Sequence, residues 1–267
     1  MPELAEVEHS RRTWDAGTGQ RVRRVETRYD EARVFRGTDL VRLREALRGV
    51  TYLGSEARGK QLCFRFGKRG EIWVGIHLGM RGRLHAEAPS YDGEKHDLLI
   101  LRQAKRSLVF TDLRHFGRVL FHEGDSAPPW WSGLAPSVLS AAFTKREVQA
   151  YFQRRQRTVV KAVLLSQARF PGIGNWMADE ILWRARIHPR TPAGDLNDAE
   201  VGALYRAIRH VSKEAVKAVD DEWSYPSSWL FAHRWKDGGK CPRCRHTLRR
   251  SVVGGRKTCW CEACQGS

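Results

Sequence analysis

PGIGNWMADEILWRARIHP, residues 171–189, changes habit partway through. Pro171, Gly172 and Gly174 cannot continue a helix, because proline lacks the N–H and glycine gains too much from freedom. From Asn175 the pattern turns helical and should run to about Arg186, with Asp179 and Glu180 in its early turns. A tight glycine turn therefore separates two helices, and the second presents its N-terminus. Backbone N–H groups at such a start favour phosphate, and Asn175 could cap the helix or bind phosphate itself. Glycine turns also serve helix packing alone, so the turn leaves both readings open.

On both sides of this stretch the chain is helical. Thr144 with Glu147, and Asn197 with Glu200, have capping-box spacing. Val201, Leu204, Tyr205, Ile208, Val211, Ala215 and Val219 recur three or four apart and form one apolar stripe. Further upstream the period shortens. Runs at 21–28, 50–53, 61–66, 72–78, 98–102, 108–112 and 118–122 are rich in Val, Leu, Phe and Tyr, which predicts two packed β-sheets. One short helix is expected over 3–14. EGDSAPPWWSGLAP, residues 123–136, has little periodicity and is read as a linker, or else as a loop whose Trp130 and Trp131 pack on a domain.

Charge narrows the partner. The 267 residues carry 47 Lys plus Arg against 30 Asp plus Glu, a net charge of +17. A polyanion is the natural counterpart, because each neutralised phosphate releases counterions. A membrane surface would call for a basic amphipathic helix or a polybasic run beside an apolar anchor, and neither is visible. No signal peptide or membrane span is read in the chain, so a cytoplasmic, nucleoid-associated protein of bacterial type is expected.

All the cysteines except Cys63 fall at or beyond position 241. Cys241 and Cys244 form one CxxC pair, Cys261 and Cys264 another, with residues 245–260 between them. That spacing suits a hairpin holding one structural Zn²⁺ in tetrahedral thiolate coordination. Four thiolates leave no open position for catalysis. Metal binding would supply folding energy to a segment too small for its own core. Cys259 could replace Cys261 only by making a C-x4-C unit, and is taken as a bystander. Cys63 reads as a buried small hydrophobe.

Met1-Pro2-Glu3 opens the chain. Removal of the initiator methionine would leave Pro2 with a free secondary amine, and α-amino groups titrate at about 7.7–8.0. A neutral amine can attack a sugar C1′, and Glu3 and Glu6 could supply proton transfers. The same residues could equally be a plain helix start.

PELAEVE (2–8), Lys60 in RGKQL, HLGMRGRL (77–84), TDLRHFG (111–117), LAP (134–136), residues 171–189, and the double CxxC followed by Gln265 occur in this order. Together they resemble the formamidopyrimidine-DNA glycosylase and endonuclease VIII family, nearly end to end. The resemblance implies an α+β multidomain fold: an N-terminal β-sandwich with a leading helix, a helix–two-turns–helix domain, and a C-terminal zinc β-hairpin. Its boundaries are placed at 1–122, a linker at 123–138, 139–235, and 236–267. It implies a bifunctional DNA glycosylase and abasic-site lyase of base excision repair, acting as a monomer on damaged double-stranded DNA. Pro2 matches the nucleophile, Glu3 the acid–base residue and Glu6 a second active-site carboxylate. Lys60, His77, Asn175 and Arg256 match phosphate-holding residues. Met80, Arg114 and Phe116 match those that fill the space of an extruded base.

Departures from the family pattern are specific. Ala5 stands where proline is usual, and His115 replaces the second arginine of an Arg-Arg-Phe triplet. Residues 220–240 show no counterpart of the long glycine-rich loop of typical 8-oxoguanine enzymes. YPSSW and GIGNWMADE resemble the plant and fungal branch, so the preferred base is left open. The alternatives are a lyase acting only at abasic sites and a non-catalytic module that binds lesions or structured DNA.

Overall fold

The structure, a computed structural model, describes residues 1–220 and 225–266. It divides into two compact units: residues 1–2 with 6–134, and residues 3–5 with 135 onward. Residues 221–224, within the segment compared with the glycine-rich loop, lie outside the described residues.

In the first unit, strands β1 (Val22–Thr27), β2 (Tyr52–Arg58), β3 (Gln61–Phe66), β4 (Ile72–His77), β5 (Arg83–Glu87), β6 (Asp97–Gln103), β7 (Ser107–Thr111) and β8 (Arg118–Glu123) form two antiparallel sheets. Their orders are β1-β6-β7-β5 and β2-β3-β4-β8. Leu99, Leu101 and Phe110 of one sheet share a core with Leu62, Phe64, Val74 and Ile76 of the other. This is the sandwich expected from the alternating runs. Helix α1 (Leu4–Asp15) adds Val7 and Trp14 to that core. The Trp14 indole donates to the Val109 carbonyl at 3.2 Å, so its buried N–H is satisfied.

A helix and a strand of this unit are among the elements absent from the expected pattern. Helix α2 (Leu40–Leu47) buries only Leu43 and Leu47, and its cap is Asp39, which accepts from the Arg42 amide. Strand β5 buries only Leu84. One or two apolar positions among charged neighbours give no readable period. Within the stretch read as linker, Pro129–Ser132 forms a short helix, α3, and Trp131 is buried with Cys63 and Trp73.

The second unit holds α4 (Lys145–Gln153), α5 (Val160–Leu164), α6 (Asn175–Ala185) and α7 (Asp198–Asp220). Thr144 caps α4, and Asn197 and Glu200 exchange reciprocal bonds at the start of α7. The apolar stripe of α7 is buried as its spacing requires, from Val201 to Val219, with Tyr205 half-buried. Helix α6 is covered all round, Trp176 to Trp183, so it forms the axis of the unit. Strands β9 (Arg249–Val253) and β10 (Arg256–Trp260) pair antiparallel, and α8 (Glu262–Gln265) follows.

Candidate active site and zinc centre

The N-terminus of α6 is where the expectation changes. Its cap is Gly174, and Asn175 is the first helical residue. The N–H groups read as a phosphate site are engaged by the Glu3 carboxylate. Oε2 accepts from Gly174 N at 2.9 Å and Met177 N at 3.1 Å, and Oε1 accepts from Trp176 N at 3.0 Å. The Leu4 amide donates to the Gly172 carbonyl at 3.0 Å. Glu3 is only 4% exposed. A Cβ on Gly174 would lie 2.2 Å from the Glu3 carboxyl carbon, so only glycine lets the carboxylate approach. Hydrogen bonds to a charged group are worth about 1.5–3 kcal/mol each, and the helix start stabilises the negative charge further. The result is a carboxyl group held in one fixed orientation.

Asn175 turns toward the hairpin: its Nδ2 donates to the Lys257 carbonyl at 2.7 Å. Arg256, the neighbour of Lys257, is exposed at the start of β10. Beneath them lies a buried charge network that the sequence did not announce. Lys161 on α5 is fully buried; its Nζ donates to the Asn175 carbonyl at 2.7 Å and pairs with Asp179. Asp179 also accepts from Arg234 and from the Cys259 amide, the latter at 3.0 Å. Burial pulls the Lys161 pKa down against the attraction of Asp179. One carboxylate thus ties α5, α6, the segment before the hairpin, and β10. An acidic residue inside an apolar helix was the available signal.

The first unit carries Pro2 and Glu6, both half-buried, and Lys60, which is 9% exposed at the turn between β2 and β3. His77 closes β4 opposite Gln61. Its pKa is lowered, by burial first and then by the positive charge of Lys60. The Gly79 amide donates to its Nδ1 at 3.0 Å, which leaves Nε2 to carry the proton of the neutral ring.

Met80 lies in the loop after β4, and Arg114 and Phe116 lie in the loop after β7. Met80 and Phe116 are 42% and 45% exposed, unusual for large apolar side chains. The Arg114 guanidinium sits 4.6 Å from the Phe116 ring centroid. A Cβ on Gly79, which has φ +64°, would lie 2.6 Å from the Gly117 amide, so these loops touch backbone to backbone. Asp112, fully buried, accepts from the Arg114 and Gly117 amides at 3.1 and 2.7 Å. It shapes the loop, a role the sequence reading missed. His115 adopts a left-handed φ of +53°, with its ring 5.5 Å from that of Tyr29.

At the other end of the hairpin, the sulfurs of Cys241, Cys244, Cys261 and Cys264 lie within 4.8 Å of one another. Cys241 Sγ is 3.9 Å from Cys264 Sγ, and Cys244 Sγ is 3.4 Å from Cys261 Sγ. The Trp183 indole donates to Cys241 Sγ at 3.3 Å. Burial opposes ionisation of Cys241, but the Cys244 amide and this indole outweigh it and bring its pKa to about 7. Four sulfurs converging within 4.8 Å of one another fit a structural zinc. Cys259 stands outside the set; burial pushes its thiol up to about 12, and its contribution is the amide bonded to Asp179.

The three parts define a zinc-finger protein of the base-excision glycosylase class. Residues 1–119 match the formamidopyrimidine-DNA glycosylase N-terminal domain, 134–225 its H2TH domain, and 238–266 a zinc finger found in these enzymes and in isoleucyl-tRNA synthetases. The formamidopyrimidine-DNA glycosylase of Symbiobacterium thermophilum is 36% identical, over 99% of this chain and 89% of its own. That of Thermus thermophilus is 36% identical, over 100% and 99%. An Arabidopsis thaliana glycosylase of the same name is 29% identical over 97% of this chain and 70% of its own. A Lactococcus lactis enzyme in complex with DNA containing N7-benzyl-Fapy-dG superposes with a TM-score of 0.87, at 29% identity and full coverage of both chains. This chain belongs to the formamidopyrimidine-DNA glycosylase family, whose members are DNA glycosylases of base excision repair with abasic-site lyase activity.

Proposed function

We propose that the protein binds damaged double-stranded DNA as a monomer, removes oxidised or ring-opened bases, and nicks the strand at the resulting site. Met1 is removed, and the Pro2 amine lone pair forms a bond to C1′ as the glycosidic bond breaks. The departing base keeps the bonding electrons and takes a proton. The same nitrogen then expels O4′ from C1′ to give an iminium. Loss of a C2′ proton into that electron sink breaks the 3′ C–O bond, and a second elimination breaks the 5′ one. Glu3 and Glu6 move the protons, and Lys60 stands by the reacting sugar. His77, Asn175 and Arg256 hold phosphates. Met80, Arg114 and Phe116 fill the vacated stack.

As functional parts we assign the catalytic sandwich to 1–122, the connection to 123–138, the helical part to 139–235 and the zinc hairpin to 236–267. Among the described residues no helix is long and apolar enough to cross a membrane. The proposed action on DNA is the ground for inferring a cytoplasmic, nucleoid-associated enzyme. The observation that carries the mechanism is Glu3, next in sequence to Pro2, held by three backbone N–H groups at the start of α6. A carboxylate so held, adjacent in sequence to Pro2, supports an acid–base role at the amine in addition to capping α6.

The test is borohydride trapping on duplexes with defined lesions. A covalent adduct should form and map to Pro2, mass spectrometry should show Met1 missing, and Lys60→Ala should weaken binding yet keep the adduct. An adduct on Lys60, or full activity with a blocked N-terminus, overturns the mechanism. Trapping at abasic sites alone identifies a lyase, and no trapping at all identifies a binding module.

A further inference from the structure

A cavity of about 540 Å³ in the second unit is lined by none of the residues given a catalytic, phosphate-holding, stack-filling or zinc-binding role above. It is lined by Ala232, His233, Trp235, Lys236, Gly238–Lys240 and Arg245. Trp235 is 56% exposed, the only tryptophan among the large exposed hydrophobics of the described residues. It is not loose. The Arg234 guanidinium, itself tied to buried Asp179, sits 4.7 Å from the Trp235 ring centroid, and the Phe231 ring meets it edge-on at 5.1 Å. The indole is thus backed by the interior while more than half of its surface faces water.

The charged side chains that line the cavity have one sign. Lys236, Lys240 and Arg245 line the cavity with no carboxylate among the lining residues. The one acid in the sequence between them, Asp237, is engaged by Arg250. Lys240 Nζ donates to the Thr247 hydroxyl at 2.8 Å, which fixes its direction. Arg245 is held in a left-handed conformation, φ +65°, by the turn in which its amide donates to the Cys241 carbonyl. An aromatic face with cations on its rim matches the chemistry of unpaired nucleotides, whose bases stack while their phosphates are neutralised. An acidic peptide would use the cations but not the indole.

We propose that this cavity is a second nucleic-acid site, which takes a short single-stranded segment by stacking a base on Trp235 and placing phosphates at Lys236, Lys240 and Arg245. The site stands on these residues alone and does not depend on the glycosylase mechanism.

The test uses the full zinc-loaded chain and a fluorescent, undamaged oligothymidylate. Trp235→Ala should weaken binding about tenfold or more, as loss of one stacked base does. Trp235→Phe should retain most of it. The double variant Lys236→Ala/Lys240→Ala should lower the slope of log affinity against log salt by about 1.4, about 0.7 per phosphate contact. Single-turnover base excision from duplex at saturating enzyme should be unchanged in all three. Wild-type oligonucleotide affinity in Trp235→Ala overturns the site, as does an equal loss in Trp235→Phe. Displacement of the oligonucleotide by polyglutamate of equal charge, with no effect of Trp235→Ala, reassigns the cavity to acidic protein. Absence of excision in every form, wild type included, would count against the glycosylase reading and leave this site standing.

Discussion

The two units hold the side chains proposed to be functional in opposite ways. In the first, Met80, Arg114 and Phe116 stand on loops, two of them with apolar surface open to water, over a backbone fastened by Asp112 and the Gly79–Gly117 contact. In the second, Glu3 is buried and fixed by three amides, and the helix offering them is braced by the Lys161–Asp179–Arg234 network. For the insertion into a base stack proposed for Met80, Arg114 and Phe116, exposure on a rigid footing is an advantage. For the proton transfer proposed for Glu3, immobility is. Exposure costs stability in the first case, and burial of charge costs it in the second.

The largest effect that should separate the units is metal removal. Structural zinc contributes about 10–16 kcal/mol to small zinc-dependent folds. Elemental analysis should give about one zinc per chain. Chelation, or Cys244→Ser, should unfold the hairpin and abolish DNA binding while the β-sheet signal of the first unit persists. Unchanged DNA affinity in a metal-free preparation would sink the assignment.

Glu3→Gln comes next. It should lower base excision by about 10²–10⁴, the usual worth of a positioned proton-transfer group. It should also lower the unfolding free energy by about 1–3 kcal/mol, because the new amide group faces N–H donors instead of an acceptor. A purely chemical role would leave the melting curve unmoved, and a purely structural one would leave excision intact in a cold, folded sample.

Phe116→Ala tests the exposed side of the comparison. Excision from duplex should slow by roughly tenfold or more, because stabilisation of the unstacked state is lost, while cleavage at a preformed abasic site changes much less. Equal losses on both substrates would remove Phe116 from lesion extrusion. With His115 in place of arginine, discrimination between bases opposite the lesion should be weaker than in an Arg-Arg relative.

The smallest effect is the titration of His77. Its folded-state pKa lies below the ordinary 6.5, so the unfolded chain binds the proton more readily. Stability from this group is therefore fully present above about pH 6.5 and is lost as pH falls through the depressed folded value. His77→Asn should flatten that part of the denaturation-midpoint profile. An unchanged acid limb would show that neither burial nor Lys60 acts on this ring.

Much of this was legible in the chain before folding. Alternating runs specify strands, the three-and-four spacing from Val201 to Val219 specifies a helix face, and Thr144 and Asn197 announce their caps, because each signal lies within one turn or one strand. The zinc pairs are equally local: CxxC puts two sulfurs on one knuckle, and only their convergence is long-range. Helix α2 and strand β5 escaped because each buries too few residues to leave a period.

What only the tertiary structure decided is which groups answer one another over long separations. The sequence by itself determined that a helix starts near Asn175, but not that Glu3 would take its N–H groups, with Asn175 turned to the Lys257 carbonyl. It placed Asp179 early in α6, but not between Lys161, Arg234 and the Cys259 amide. A buried donor or acceptor must find a partner, yet nothing in local pattern says which. That choice belongs to packing, which brings together residues whose side chains have no reason to meet until the core has closed.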